Sequence, residues 1–163
     1  MGLNKVAILI DGGFFKQRFR KINKRDPLKK DVEALIALIM GLVSKKNPCS
    51  ALHPDVLLRT FYYDCHPFGK ELKHPDGTLV DFAKSPTHEK QNAFLMSLDT
   101  IEQFALRLGE LSFSGWKMYA DRPKSIFPDF RQKGVDMKIG LDIAWMAGKQ
   151  TVDKIALDRK SVV

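Results

Sequence analysis

Cysteine is nearly absent from this chain of 163 residues, which carries only Cys49 and Cys65. Two thiols far from other ligand-type side chains build neither a disulfide framework nor a zinc site, so both are expected as free thiols in a reducing cytoplasm. No apolar run approaches the ~18–20 residues that a membrane-spanning helix needs. The first residues run directly into a strand-like segment and do not resemble a targeting sequence. A cytoplasmic protein with no membrane partner is expected. Histidine is sparse: His53, His66, His74 and His88 lack metal-ligand spacing and read as loop residues. There is no glycine-rich phosphate loop, because Asp11-Gly12-Gly13 has neither the Gly-x-Gly-x-x-Gly spacing nor a P-loop lysine. No repeat, low-complexity tract or linker divides the chain, and its length suits one domain with a real core.

What is present is positive charge and a regular alternation of apolar segments. The formal net charge is +8, with 44% apolar and 28% charged residues. A soluble globular domain with a polyanionic partner is expected, nucleic acid ahead of membrane.

Lys5-Val6-Ala7-Ile8-Leu9-Ile10-Asp11-Gly12-Gly13 reads as a short strand buried on both faces, ended by an acid and two glycines. Open α/β sheets place their ligands at the carboxyl ends of such strands. Asp11 is therefore a candidate site residue, and the alternative is a helix cap. Phe14 to Ile22 follow with helical spacing. Lys16, Arg18, Arg20 and Lys21 lie on the polar side of that helix, where they are candidates to hold a phosphodiester backbone. After Pro27, Asp31 is expected to cap a helix from Val32 to Lys45, with Leu35, Ile36, Leu38, Ile39, Leu42 and Val43 facing the core.

A second strand is expected over Asp55 to Tyr63. Asp64 then falls at the same relative place as Asp11, as a turn residue or a support for the site. Pro75-Asp76-Gly77 marks a small hairpin or ordered loop between Glu71 and Lys84. The spacing of Phe94, Leu95, Leu98, Ile101, Phe104, Ala105, Leu108 and Leu111 predicts one long helix from Thr87 to Leu111. Trp116 to Tyr119 then make a brief strand. Ala120 to Gln132 are expected as a loop with Pro123, Pro128 and the cations Arg122, Lys124 and Arg131. Phe127 and Phe130 in it either stack on bases or anchor the loop to the core. The order predicts a parallel sheet sandwiched by helices.

The other informative stretch runs from Arg131 to Ala147. Val135, Ile139 and Ile143 share one helical face, joined by Ala144, Met146 and Ala147. Asp136 sits in the first turn, where the helix dipole favours an acid. Asp142 lies well around the helix from it, flanked by Leu141 and Ile143. A carboxylate in such a setting needs a cation, either a lysine such as Lys133 or Lys138 or a metal.

Ile10-Asp11-Gly12-Gly13-Phe14-Phe15, with Lys133-Gly134-Val135-Asp136 and the later Leu141-Asp142, resembles the NYN domain family (LabA/DUF88 branch) of the PIN-like nuclease superfamily. The resemblance runs along nearly the whole chain as an ordered α/β pattern. It implies a single three-layer, Rossmann-like (PIN-like) domain over residues 1–163, with a parallel sheet flanked by helices. It also implies cleavage of RNA with Mg²⁺ or Mn²⁺ held by Asp11, Asp136 and Asp142. Such a cation generates a hydroxide nucleophile and offsets charge on the phosphoryl oxygens. The cations Lys16, Arg18, Arg20, Lys21, Arg131 and Lys133 are the candidate RNA contacts. The family's last strand ends in a Ser/Thr-Gly-Asp-Ser-Asp-Phe type motif. Here Val152 to Leu157 begin that strand, but Asp158 is the only acid near its end and no glycine-aspartate pair follows. The expectation is a C-terminally shortened domain, either an altered ribonuclease or a non-catalytic RNA-binding or regulatory module. Its open sheet edge is a candidate homodimer contact.

Overall fold

Val6 to Ile10 are fully buried, and the rest of the chain is laid around them. The computed structural model describes residues 2–48, 51–119 and 122–159. The elements run β1 (Asn4–Asp11), α1 (Gly12–Asn23), α2 (Lys29–Lys45), β2 (Asp55–Cys65), β3 (Glu71–Lys73), β4 (Leu79–Asp81), α3 (Pro86–Leu98), β5 (Phe104–Tyr119), β6 (Arg122–Lys133), α4 (Val135–Lys149) and β7 (Lys154–Asp158). Five strands form one sheet in the order β6-β5-β2-β1-β7, and β3 pairs with β4 in a separate small hairpin. β1 pairs in parallel with β2 and β7, and β2 in parallel with β5. β6 runs antiparallel to β5. The sheet is therefore mostly parallel, not wholly parallel as expected.

Alternation along β1 divides the core in two. Val6, Ile8 and Ile10 pack with Phe15 of α1, Val32 and Ile36 of α2, and Leu95 and Leu98 of α3. Ala7 and Leu9 pack on the opposite side with Tyr63, Cys65 and Val135, Ile139 and Met146 of α4. Burying each large aliphatic chain contributes roughly 1.5–3 kcal/mol, an upper estimate since unfolded chains already hide some apolar area. Helices thus cover both faces of a central strand, as a buried parallel strand requires. Leu38 and Leu42 of α2 and Ala144 and Ala147 of α4 were expected inward but are exposed. Among the described residues no helix is long and apolar enough to cross a membrane.

Three elements differ from expectation for identifiable reasons. The helix expected through Leu111 stops at Leu98, and Phe104 opens β5. Phe104, Leu108 and Leu111 fit a helical repeat, but Phe104, Leu106 and Leu108 also fit the period of two. All three pack on the core from β5. Pairing with β2 decides between the two periods, with Thr60 beside Phe104 in register. The loop expected to end at Gln132 is β6, although Ala120 and Asp121 themselves lie outside the described residues. Prolines are tolerated there because β6 is an edge strand, with Pro128 opposite Trp116. Leu28, not Asp31, is the N-cap of α2; Asp31 lies in the first turn and accepts the Leu28 N–H at 2.8 Å.

Candidate functional site

In parallel register the carboxyl ends of β1, β2 and β7 share one rim. Asp11 lies beside Tyr63, the residue before Asp64, and Ile10 lies beside Asp158. Three adjacent strands thus each bring an acid to the same edge. Asp11 does cap α1, accepting the Phe14 N–H at 3.1 Å. Gly12 is required by packing: a Cβ there would lie 2.6 Å from the Tyr62 ring. A Cβ on Gly13 would stand 3.1 Å from Gln132 Oε1 and 3.3 Å from Asp11 Oδ1, so the rim is closely built there too.

Asp64 is not a turn residue. It is 1% exposed, within β2, and its side chain meets the Lys16 ammonium at 2.6 Å. The Cys65 N–H and Gln91 Nε2 donate to it at 2.8 and 3.1 Å, with Gln132 Nε2 more distant at 3.5 Å. Lys16, expected on RNA, is therefore turned inward. Asp158 is partly buried, and its carboxyl is pushed above its ordinary value, first by burial and then by the negative charge of Asp11.

The two α4 acids are engaged elsewhere. Asp136 is exposed and ion-paired with Arg159 at 2.9 Å. Asp142 accepts from Tyr63 Oη at 2.8 Å and from Arg107 Nε at 3.1 Å. Burial, followed by the hydrogen bond to Asp142, holds the Tyr63 phenol well above its usual range. Among the described residues neither Lys133 nor Lys138 pairs with Asp142: Lys138 instead donates to the Leu108 carbonyl at 2.8 Å. Among the described residues, no group of three or more His, Cys, Asp or Glu side chains is placed to hold a metal ion.

Arg18, Arg20, Lys21, Arg131 and Lys133 are exposed, and Arg20 also pairs with Asp26. Phe130 packs against Phe68, Phe82 and Phe113, which anchors it, and together with Phe68 and Phe82 it also lines a pocket. The Cys65 thiol is free and buried, and burial raises it above its ordinary value. Cys49 lies outside the described residues.

A pocket of about 340 Å³ opens beside the Lys16–Asp64 pair. Phe68, Phe82 and Phe130 give it an aromatic wall, and Gln91 and Gln132 line its polar side. Sequence reasoning missed both glutamines, and it gave Asp64 and Asp158 no firm role. The available signal was positional: each of these acids lies at or next to the carboxyl end of a strand that pairs with β1. The glutamines carried none, since amides are common on exposed helices and strands.

A scan against protein-family models finds no match, and a search of curated proteins finds none. A crystal structure of a protein of unknown function from Vibrio parahaemolyticus is similar to this chain, with 16% identity and a TM-score of 0.41. The match covers 95% of this chain and 65% of that one. The class defined by the fold itself is mixed α/β, a mostly parallel five-stranded sheet between helices.

Proposed function

We propose that this chain is a divalent-cation-dependent ribonuclease domain of the PIN-like, NYN type, acting at the carboxyl rim of its sheet. The observation that carries the reading is that Asp158, opposite Ile10 on the neighbouring parallel strand, lies within electrostatic reach of Asp11. Two carboxylates there repel one another, and Asp158 is partly buried. A bound cation relieves both costs. Mg²⁺ and Mn²⁺ suit such a place, since Mg²⁺ takes one or two carboxylates and keeps several waters. Asp11 and Asp158 would hold the ion, which when bound supplies an activated water and charge compensation at the phosphoryl oxygens. Asp136 and Asp142, assigned to the cation by the family resemblance, are held by Arg159, Arg107 and Tyr63, so this reading moves the site to the rim.

The chain's own residues have separable tasks. The Asp11 cap fixes the start of α1 against β1. Exposed Arg18, Lys21, Arg131 and Lys133 supply attraction for the phosphate backbone, and the net charge of +8 supplies long-range steering. Cleavage of single-stranded and structured RNA with Mn²⁺ or Mg²⁺, wild type against Asp11→Asn, tests the reading. Equal activity from the two proteins removes Asp11 from the mechanism.

A second reading is an RNA-binding module that does not cleave. The Lys16–Asp64 pair favours it, because an ammonium already neutralises the most buried acid of the rim. This reading expects RNA binding that weakens steeply with salt and no cleavage in either metal.

A further inference from the structure

We propose that the pocket beside the Lys16–Asp64 pair is a recognition site for one planar nitrogen heterocycle, an unstacked nucleobase. The first ground is size. At about 340 Å³ the pocket lies at the low end for small-ligand sites, enough for one nucleoside-sized unit and too small for stacked neighbours. The second is its wall. Phe68 and Phe130 have ring centroids 4.8 Å apart and tilted by 36°, and Phe82 stands edge-on to Phe130 at 5.5 Å, so the wall is made of aromatic faces and edges. A flat π-system gains stacking energy from such a wall beyond the area it buries.

The third ground is the polar floor. Asp64 is buried, and its Oδ2 is fixed by Lys16 and Gln91. Gln91 and Gln132 both direct Nε2 at Asp64, so the carboxylate orients two amides at one place. The Gln132 contact, at 3.5 Å, is at the outer limit of a hydrogen bond, so this amide can turn to a ligand at little cost. Amides present a donor and an acceptor together, the pattern by which base edges are read. Gln132 also lies against Gly13, next to Asp11. A base in the pocket therefore sits one side chain away from the rim. Attributing the base to RNA rests on the proposed function; the pocket's chemistry does not, and a free nucleotide offers the same ring.

The experiment uses the full chain. A labelled single-stranded oligoribonucleotide, its abasic counterpart and free nucleoside monophosphates are titrated onto the wild type and Gln132→Ala, with melting curves to confirm folding. Gln132 is exposed, so its truncation should leave the fold intact. We expect the intact strand to bind the wild type at least about tenfold more tightly than the abasic strand. Gln132→Ala should erase most of that ratio while leaving abasic binding unchanged. Mononucleotide binding without RNA binding would keep the pocket and refute the RNA reading. Equal binding of intact and abasic strands, with no mononucleotide binding, overturns the pocket while leaving salt-dependent RNA binding untouched. A wild-type base preference that Gln132→Ala does not alter also overturns the assignment.

Discussion

The Lys16 ammonium lies 2.6 Å from the Asp64 carboxylate, with only 13% and 2% of the two side chains exposed. This pair ties α1 to β2 at the rim. It also explains why a residue expected on RNA is absent from the basic surface. Removing one partner leaves a buried charge uncompensated, which typically costs 3–5 kcal/mol. Lys16→Met should cost about 3 kcal/mol, because Gln91 and the Cys65 N–H still serve Asp64. Lys16→Met with Asp64→Asn should recover a large part of it. Urea denaturation of the three proteins measures this, and a double variant as unstable as Lys16→Met would show that the carboxylate's charge is not the cause.

Tyr62 and Gly12 set the opposite limit, where side chains leave no room. Gly12→Ala puts a Cβ within 2.6 Å of the ring and should cost about 1–3 kcal/mol through overpacking. Among the described residues the buried Tyr62 hydroxyl meets no hydrogen-bond partner, so its removal deletes an unmet polar group. Tyr62→Phe should match or exceed wild-type stability in a thermal melt. A clear loss of stability would mean that the hydroxyl is satisfied in solution.

How far the sequence carried depended on whether an element's pattern had one solution. β1 did: a continuous branched apolar run ending at Asp11 and two glycines is legible as a buried strand, and its ends are off by a residue. α4 was equally legible through Val135, Ile139 and Ile143. The stretch from Phe104 to Leu111 admitted two periods, and only the partner strand β2 chose between them. Pro123 and Pro128 suggested a loop because an edge position, where proline is harmless, is not visible in one strand's sequence. The acids were harder still. Asp142 is matched by Arg107 and Asp136 by Arg159, partners distant in the chain that no local spacing announces.

Acid should act on the entry to α2. The Arg25 guanidinium, bonded to Asp31 at 2.7 Å, holds that carboxyl at about 2, below the ordinary 3.8. A lowered folded-state value contributes stability that is complete above the unfolded value and is lost as pH falls toward 2. The melting temperatures of wild type and Asp31→Asn, followed from pH 5 to pH 2, should therefore converge on acidification. Parallel curves would show that the pair gives no net stability.

Mn²⁺ titration of stability separates the two placements of the acids. A ligand that binds only the folded chain adds about 2.7 kcal/mol at a hundredfold excess over Kd, several degrees for a domain of this size. If the cation sits at the rim, Asp11→Asn and Asp158→Asn each abolish that gain. Asp136→Asn should keep it and cost no more than about 1 kcal/mol by itself, since its pair with Arg159 is exposed. Asp142→Asn should also keep the gain but lower the baseline by about 1–2 kcal/mol, through weaker bonds to Arg107 and Tyr63. Loss of the Mn²⁺ response in Asp136→Asn or Asp142→Asn, with Asp158→Asn unaffected, would return the cation to α4. The rim assignment would then be wrong, and Asp11 would be the only acid common to both sites.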